Sequence, residues 1–162
     1  MRNAALSFAR TALACVAALG VTGAASAQTL KAVKDRGVLN CGVSTGLPGF
    51  SNPDDKGVWS GIDVDLCRAV AAAVFNDAGK VKYVPLNAED RFKALQSGTI
   101  DVLSRNSTWT MSRESEFNVA FTGVNYYDGQ GFMVRKALKK DSALDLNNSK
   151  VCVQSATTTQ LN

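Results

Sequence analysis

The chain has 162 residues and 46% hydrophobic content, enough for one domain with its own core and too short for two. Its 18 Lys and Arg stand against 14 Asp and Glu with no basic run longer than a pair, which gives no electrostatic case for nucleic acid. With no histidine present, a metal site and Ser-His or Cys-His catalytic pairs are excluded for this stretch.

Residues 1–27 read as a secretion signal. Arg2 and Arg10 supply positive charge, residues 11–21 form an apolar run through Leu13, Val16 and Leu19, and Ala25-Ser26-Ala27 is a small-x-small cleavage pattern, with the cut after Ala27. The run is shorter than the roughly 20 residues a membrane span needs. Cys15 follows Ala12-Leu13-Ala14 without a leucine three positions back, which argues against lipidation. Three cysteines survive processing, Cys41, Cys67 and Cys152. An odd number in an oxidising compartment leaves at least one unpaired or the chain incomplete. Cys41 lies in a strand-like run and Cys67 on a helix, and the favoured expectation is buried small hydrophobes rather than a disulfide.

A short basic helix over residues 30–36 is ended by Gly37, and residues 38–43 read as a first strand. The loop over 44–50, with Gly46, Pro48 and Gly49, is irregular. Gly61 opens the clearest helical pattern, in which Leu66, Ala69, Val70, Ala73 and Val74 recur at i, i+3, i+4, i+7 and i+8. Asp63 and Asp65 are read there as helix-start chemistry rather than ligand contacts. Residues 81–86 make a second strand, 91–96 a short helix closed by Ser97-Gly98, and 100–104 a third strand. Residues 132–134 and 151–154 supply two more strand-like runs around a polar surface stretch over 141–148. The alternation predicts an α/β domain with a largely parallel sheet. The chain stops at Gln160-Leu161-Asn162, where a helix should be starting, and this reads as truncation.

Gly61-Ile62-Asp63-Val64-Asp65-Leu66, with Val70, Ala71 and Val74 following, resembles the signature of the extracellular solute-binding proteins for polar amino acids. The resemblance extends through residues 91–101, 104–113, 121–123 and 151–159. The runs over 40–50 and 104–110 look like the general L-amino-acid-binding members. The resemblance implies a periplasmic-binding-protein-like α/β fold of two lobes. In that frame lobe 1 covers residues 28–124, a hinge region 125–131, and a truncated start of lobe 2 residues 132–162. It further implies more than twice the mature length present, an L-amino acid closed between the lobes, delivery to the permease of an ABC importer, a periplasmic monomer and no cofactor.

An amino-acid zwitterion needs a bidentate cation, neutral donors and acceptors. The resemblance assigns Arg113 as the α-carboxylate anchor, although taken alone it reads as a surface arginine near a helix start. Asn106 and Thr108 match positions that offer backbone and hydroxyl groups to the ligand, Asn106 otherwise being a turn residue. Trp109 beside them either shields the ion pair or packs in the core. Thr157 and Thr158 match second-lobe residues that close on the carboxylate, at a helix start that would otherwise simply be capped. Arg91 matches a contact to acidic ligand side chains in dicarboxylic relatives, and otherwise pairs with Glu89 or Asp90. Leu47 and Ala88 replace aromatic platforms of basic-amino-acid relatives, which implies broad specificity. Ser44 replaces an acid of those relatives, and the ammonium acceptor stays unassigned.

Two other classes compete. A periplasmic dehydratase on the same fold would need an acid or base near Arg113, which this segment lacks. The sensor domain of a membrane receptor would need a membrane span after the second lobe.

Overall fold

The computed structural model describes residues 24–162, so the charged and apolar parts of the leader read from the sequence lie outside the described residues. The first described helix, α1 (Ala24–Arg36), ends where Gly37 takes φ +74° and donates its N–H to the carbonyls of Val33 and Lys34.

β1 (Leu39–Ser44) is the middle strand of a three-stranded parallel sheet. It pairs along its whole length with β4 (Val81–Leu86), and at Cys41 and Gly42 with β5 (Val102–Leu103). A central parallel strand is covered on both faces, and β1 is buried at every position but Asn40. Gly42 is required here, because a Cβ would stand 2.6 Å from Ile100 Cδ1 and 3.0 Å from side-chain carbons of both Leu86 and Leu103. A small antiparallel ribbon, β2 (Asn52–Pro53) with β3 (Trp59–Ser60), leads into the long helix α2 (Ile62–Phe75). Gly61 makes that entry at φ +117°, where a Cβ would lie 2.3 Å from the Phe50 carbonyl oxygen. Asn76, left-handed, closes the helix through an N–H to the Ala72 carbonyl.

The buried face of α2 is Val64, Cys67 and Ala71, with Val70 and Val74 at its flank, whereas Leu66, Ala69 and Ala73 are exposed. The face is therefore turned from the one the apolar spacing predicts. The helix is apolar around most of its circumference, so periodicity alone does not choose the side that packs. One covalent contact marks that side. Cys41 and Cys67, both 0% exposed, form a disulfide between β1 and α2, which corrects the expectation of two unpaired hydrophobic cysteines. Cys152 is free and exposed. The core around the bridge is Val43, Trp59, Val81, Tyr83 and Val102, and a second cluster joins Val33, Leu39 and Ala71.

α3 (Arg91–Gln96) and α4 (Met111–Phe117) follow β4 and β5. From there to α5 (Thr158–Leu161) the regular elements are two 3-10 turns, Lys136–Leu138 and Ala143–Leu146. The strands expected at 132–134 and 151–154 are not formed. A strand requires a neighbour for its amides and carbonyls, and these runs have none among the described residues.

Candidate ligand-binding site

Three short segments converge at the carboxyl ends of β4 and β5. Asn87 Oδ1 accepts the N–H groups of Glu89 and Asp90 at 2.9 Å, a local turn that starts α3 and delivers Arg91 into the interior. Thr110 caps α4 by accepting the Arg113 N–H at 3.3 Å, which sets Arg113 in the first helical turn. Phe92 lies under both arginines, with the Arg91 and Arg113 guanidinium carbons 5.0 and 5.3 Å from its ring centre. Phe92 stacks in turn on Phe117 at 4.9 Å, and Gln96 Nε2 donates to the Phe117 carbonyl, so α3 and α4 hold one another.

Arg91 is 2% exposed and bonds to neither Glu89 nor Asp90. Its Nη1 donates to the Asn106 carbonyl at 3.0 Å and to Ser107 Oγ at 3.3 Å, and its Nη2 to the Ala156 carbonyl at 3.2 Å. Its Nε is buried without a partner. Arg113, 8% exposed, donates from Nη1 to the Thr108 carbonyl at 2.6 Å. Every partner of these two cations is neutral. Burial pushes both guanidinium pKa values down, and repulsion from Arg113 and Arg105 adds to the effect on Arg91, which falls to about 10.

Thr108 Oγ1 and Thr158 Oγ1 lie 3.2 Å apart, and Gln130 Nε2 reaches Thr158 and Thr159. Ser155 Oγ donates to Glu89 at 2.7 Å. Arg91, Asn106, Thr108, Arg113 and Thr158 thus form one cluster although they come from distant parts of the sequence. Thr157 stands beside it without joining its bonds. It is the N-cap of α5, but its hydroxyl donates to the Gln154 carbonyl at 2.7 Å. α5 is a single turn, which limits what its dipole adds. Trp109 is 48% exposed and stacks on Phe121 at 5.4 Å, nearer a rim than a core position.

Arg105, which the sequence reading passed over, and Asp63, read there as helix-start chemistry, complete the surroundings. Arg105 donates from Nη1 to the Leu86 carbonyl at 2.6 Å, and from Nε and Nη2 to Asn106 Oδ1 at 3.2 and 3.0 Å. Asp63 stands in the first turn of α2, as expected, and is 2% exposed. Its pKa is raised by burial, against the opposing pull of Asn125, Arg105 and Ser51. Asp65 instead makes the local pair, with Arg68 at 3.1 Å. A cavity of about 200 Å³ beneath, lined by Leu66, Phe92, Leu103 and Phe121, touches the cluster through Arg105 and Ser107. Arg113, Thr108 and Asn106 lie outside it, Arg113 buried and the other two exposed.

Two buried guanidinium groups with only neutral hydrogen-bond partners thus lie together beyond the carboxyl ends of β4 and β5. Residues 39–156 match the family model described as bacterial extracellular solute-binding proteins, family 3. The chain belongs to that family. Among solute-binding proteins of known identity, it is 58% identical over 162 residues to the general L-amino acid-binding periplasmic protein AapJ of Rhizobium johnstonii, covering all of this chain and 47% of the relative. It is 59% identical over 142 residues to the glutamate/glutamine/aspartate/asparagine-binding protein BztA of Rhodobacter capsulatus, covering 88% of this chain and 42% of that one. A solved periplasmic binding protein of an ABC transporter from Brucella ovis, with glutathione bound, superposes with a TM-score of 0.78 at 58% identity, over 82% of this chain and 42% of that one. The chain thus spans less than half the length of these solute-binding relatives, which are named as binding proteins and not as enzymes. The fold is the periplasmic-binding-protein α/β fold expected from the sequence.

Proposed function

We propose that the protein is the periplasmic substrate-binding component of an ABC importer for L-amino acids, of broad specificity. The observation that carries this reading is the Arg91 and Arg113 pair, buried over one phenyl ring without a carboxylate partner. Leaving a buried guanidinium without a counter-ion costs free energy that an incoming anion recovers. Arg113 takes the ligand α-carboxylate in a two-point hydrogen bond, with the Thr108 hydroxyl and the Asn106 backbone beside it as neutral partners. Thr157 and Thr158 close on the same end of the ligand from the second lobe. Arg91 meets a second anionic group where the ligand has one, so glutamate and aspartate are included. The names of the relatives support this range, and glutathione carries the same amino-acid head together with a further carboxylate.

In this reading residues 1–27 are removed on export, residues 28–124 belong to lobe 1, 125–131 to the hinge and 132–162 to the start of lobe 2. The ligand binds first to the Arg113 side, and its extra contacts in the closed state supply the free energy of closure about the hinge. The closed monomer docks on the importer's permease.

Isothermal titration of the whole gene product with glutamate, glutamine, leucine and arginine, repeated on Arg113→Ala, tests the reading. Several of them should bind the native protein, and the substitution should weaken all of them by about a hundredfold or more, as expected for loss of a buried charged contact. Binding of none, or binding untouched by the substitution, defeats the ligand class or the anchor respectively.

A further inference from the structure

Arg105 has no role in the reading above, yet it is one of the most constrained side chains near the cluster. It is buried, and its Nη1 is fixed on the Leu86 carbonyl at the end of β4. Asp63, in the first turn of α2, is the carboxylate whose charge acts on it. Asp63 Oδ2 is buried without a hydrogen-bond partner, and the neighbouring Ser51 Oγ accepts the Ser44 N–H at 3.0 Å at the end of β1. Arg105 is thus anchored to the sheet through Leu86. Its remaining contacts go to one atom, because Nε and Nη2 both donate to Asn106 Oδ1.

An amide side chain offers an oxygen that accepts and a nitrogen that donates, and a rotor free to turn presents either. Two guanidinium donors on Oδ1 remove that freedom. A flip would set the Asn106 NH2 group against Arg105 donors, with like partial charges in contact. The oxygen is therefore held inward, and Nδ2, which has no protein partner among the described residues, is left for solvent or ligand. Asn106 is exposed, and its own carbonyl accepts from Arg91. The free amide donors accordingly stand beside the guanidinium that meets the far end of the ligand.

We propose that Arg105 is a positioning residue that locks the Asn106 amide as a donor, and that Asn106 thereby selects amino acids whose side chain carries an acceptor oxygen, a carboxylate or an amide carbonyl. The proposal rests on the reading of the protein as an amino-acid receptor. It separates two sources of affinity. Arg113 and Thr108 act on the head that all amino acids share, while Arg105 acts only through Asn106 on the variable end.

The test is isothermal titration of the whole gene product with glutamate, glutamine and alanine, on the native protein and on Arg105→Lys, Asn106→Ala and their combination. Lysine keeps the charge opposite Asp63 but cannot grip Oδ1 at two points. Each single substitution should weaken glutamate and glutamine by about tenfold, the scale of one hydrogen bond involving a charged or fixed partner, and leave alanine within about twofold. The combination should weaken them no more than either alone, because the two residues act in series. A residue that merely supports the fold would weaken all three ligands together, and that result overturns the proposal, as does additivity in the combination. Should Arg105→Lys fail to fold, the exposed position decides through Asn106→Asp. A carboxylate there pairs with Arg105 and presents an acceptor to the ligand, so glutamate binding must fall by more than tenfold with alanine unchanged, and equal binding of both overturns the proposal. If the native protein binds no amino acid, the receptor reading falls and this proposal with it. Binding by the native protein with no selective loss in the variants defeats this proposal alone.

Discussion

Residues 39–105 and residues 119–156 carry comparable apolar side chains and treat them in opposite ways. In the first region Leu39, Cys41, Val43, Val64 and Ile100 are almost wholly buried around a central strand with a neighbour on each side. In the second, Tyr127, Phe132, Leu144 and Val151 are exposed, and Met133 is 98% exposed. Hydrophobic residues do not make a core by themselves. Each extended run needs a second run to take its backbone bonds and a layer to cover its side chains. The later region touches the earlier one at Tyr126 on Phe50, Ser155 on Glu89 and Ala156 on Arg91. The contact of Ala156 with Arg91 lies at the arginine cluster, whereas that of Tyr126 with Phe50 lies away from it.

Aromatic truncation gives the largest expected contrast. In the 162-residue chain Phe92→Ala removes a buried ring that supports Phe117 and both guanidinium groups. It should cost about 4 kcal/mol in urea unfolding. Phe132→Ala should cost less than about 0.5 kcal/mol, as for other exposed positions. A comparable loss at the two sites would erase the distinction between the regions.

The cysteines sharpen the same contrast at a slightly smaller scale. Cys41 and Cys67 close a loop with a sequence separation of 26 inside the core. Loop-closure entropy puts the stabilisation at about 3.5 kcal/mol. The paired substitution Cys41→Ala with Cys67→Ala should lower the unfolding free energy by that order. Cys152→Ser should leave it within about 0.5 kcal/mol, and thiol titration of the folded native chain should find Cys152 reactive and the other two silent. A reactive Cys41 or Cys67 would contradict the bridge.

The elements legible in the sequence are those set by local rules. The long helix after Gly61, the strand over Val81–Leu86 and the short helix over Arg91–Gln96 follow from spacing, capping and breakers within a few residues. What the sequence did not carry was register and burial. Cys41 meets Cys67 because α2 turns Cys67 rather than Leu66 toward β1, and a helix so uniformly apolar does not declare its face. Arg91 read equally well as a surface partner of Glu89 or Asp90, since nothing local says that its carbonyl partners lie at Asn106 and Ala156. Arg105 drew no notice for the same reason. An isolated arginine after a strand has no pattern, and its meaning comes from Leu86, Asp63 and the Asn106 amide. The expected strands over 132–134 and 151–154 failed in the other direction, with a fair local pattern and no neighbour to pair with.

The smallest expected effect concerns Asp63, where burial and a nearby cation act in opposite senses. Burial raises its pKa above the ordinary 3.8, and it outweighs the lowering by Asn125, Arg105 and Ser51. The folded state therefore holds the Asp63 proton more tightly than the unfolded chain does. The stabilisation tied to that proton is complete below the unfolded pKa and is lost as the pH rises through the higher folded value. Asp63→Asn, which cannot titrate, removes this dependence. Urea unfolding of both proteins from about pH 3 to about pH 8 should show the native chain losing stability relative to the variant as the pH rises, with the difference levelling off once Asp63 is ionised in both states. A native chain that gains on the variant over the same range would mean that Asn125, the Arg105 charge and Ser51 together outweigh desolvation. The ionised Asp63 would then be stabilising, and the buried side of the cluster would be held together by its charge and polar partners rather than merely tolerating that charge.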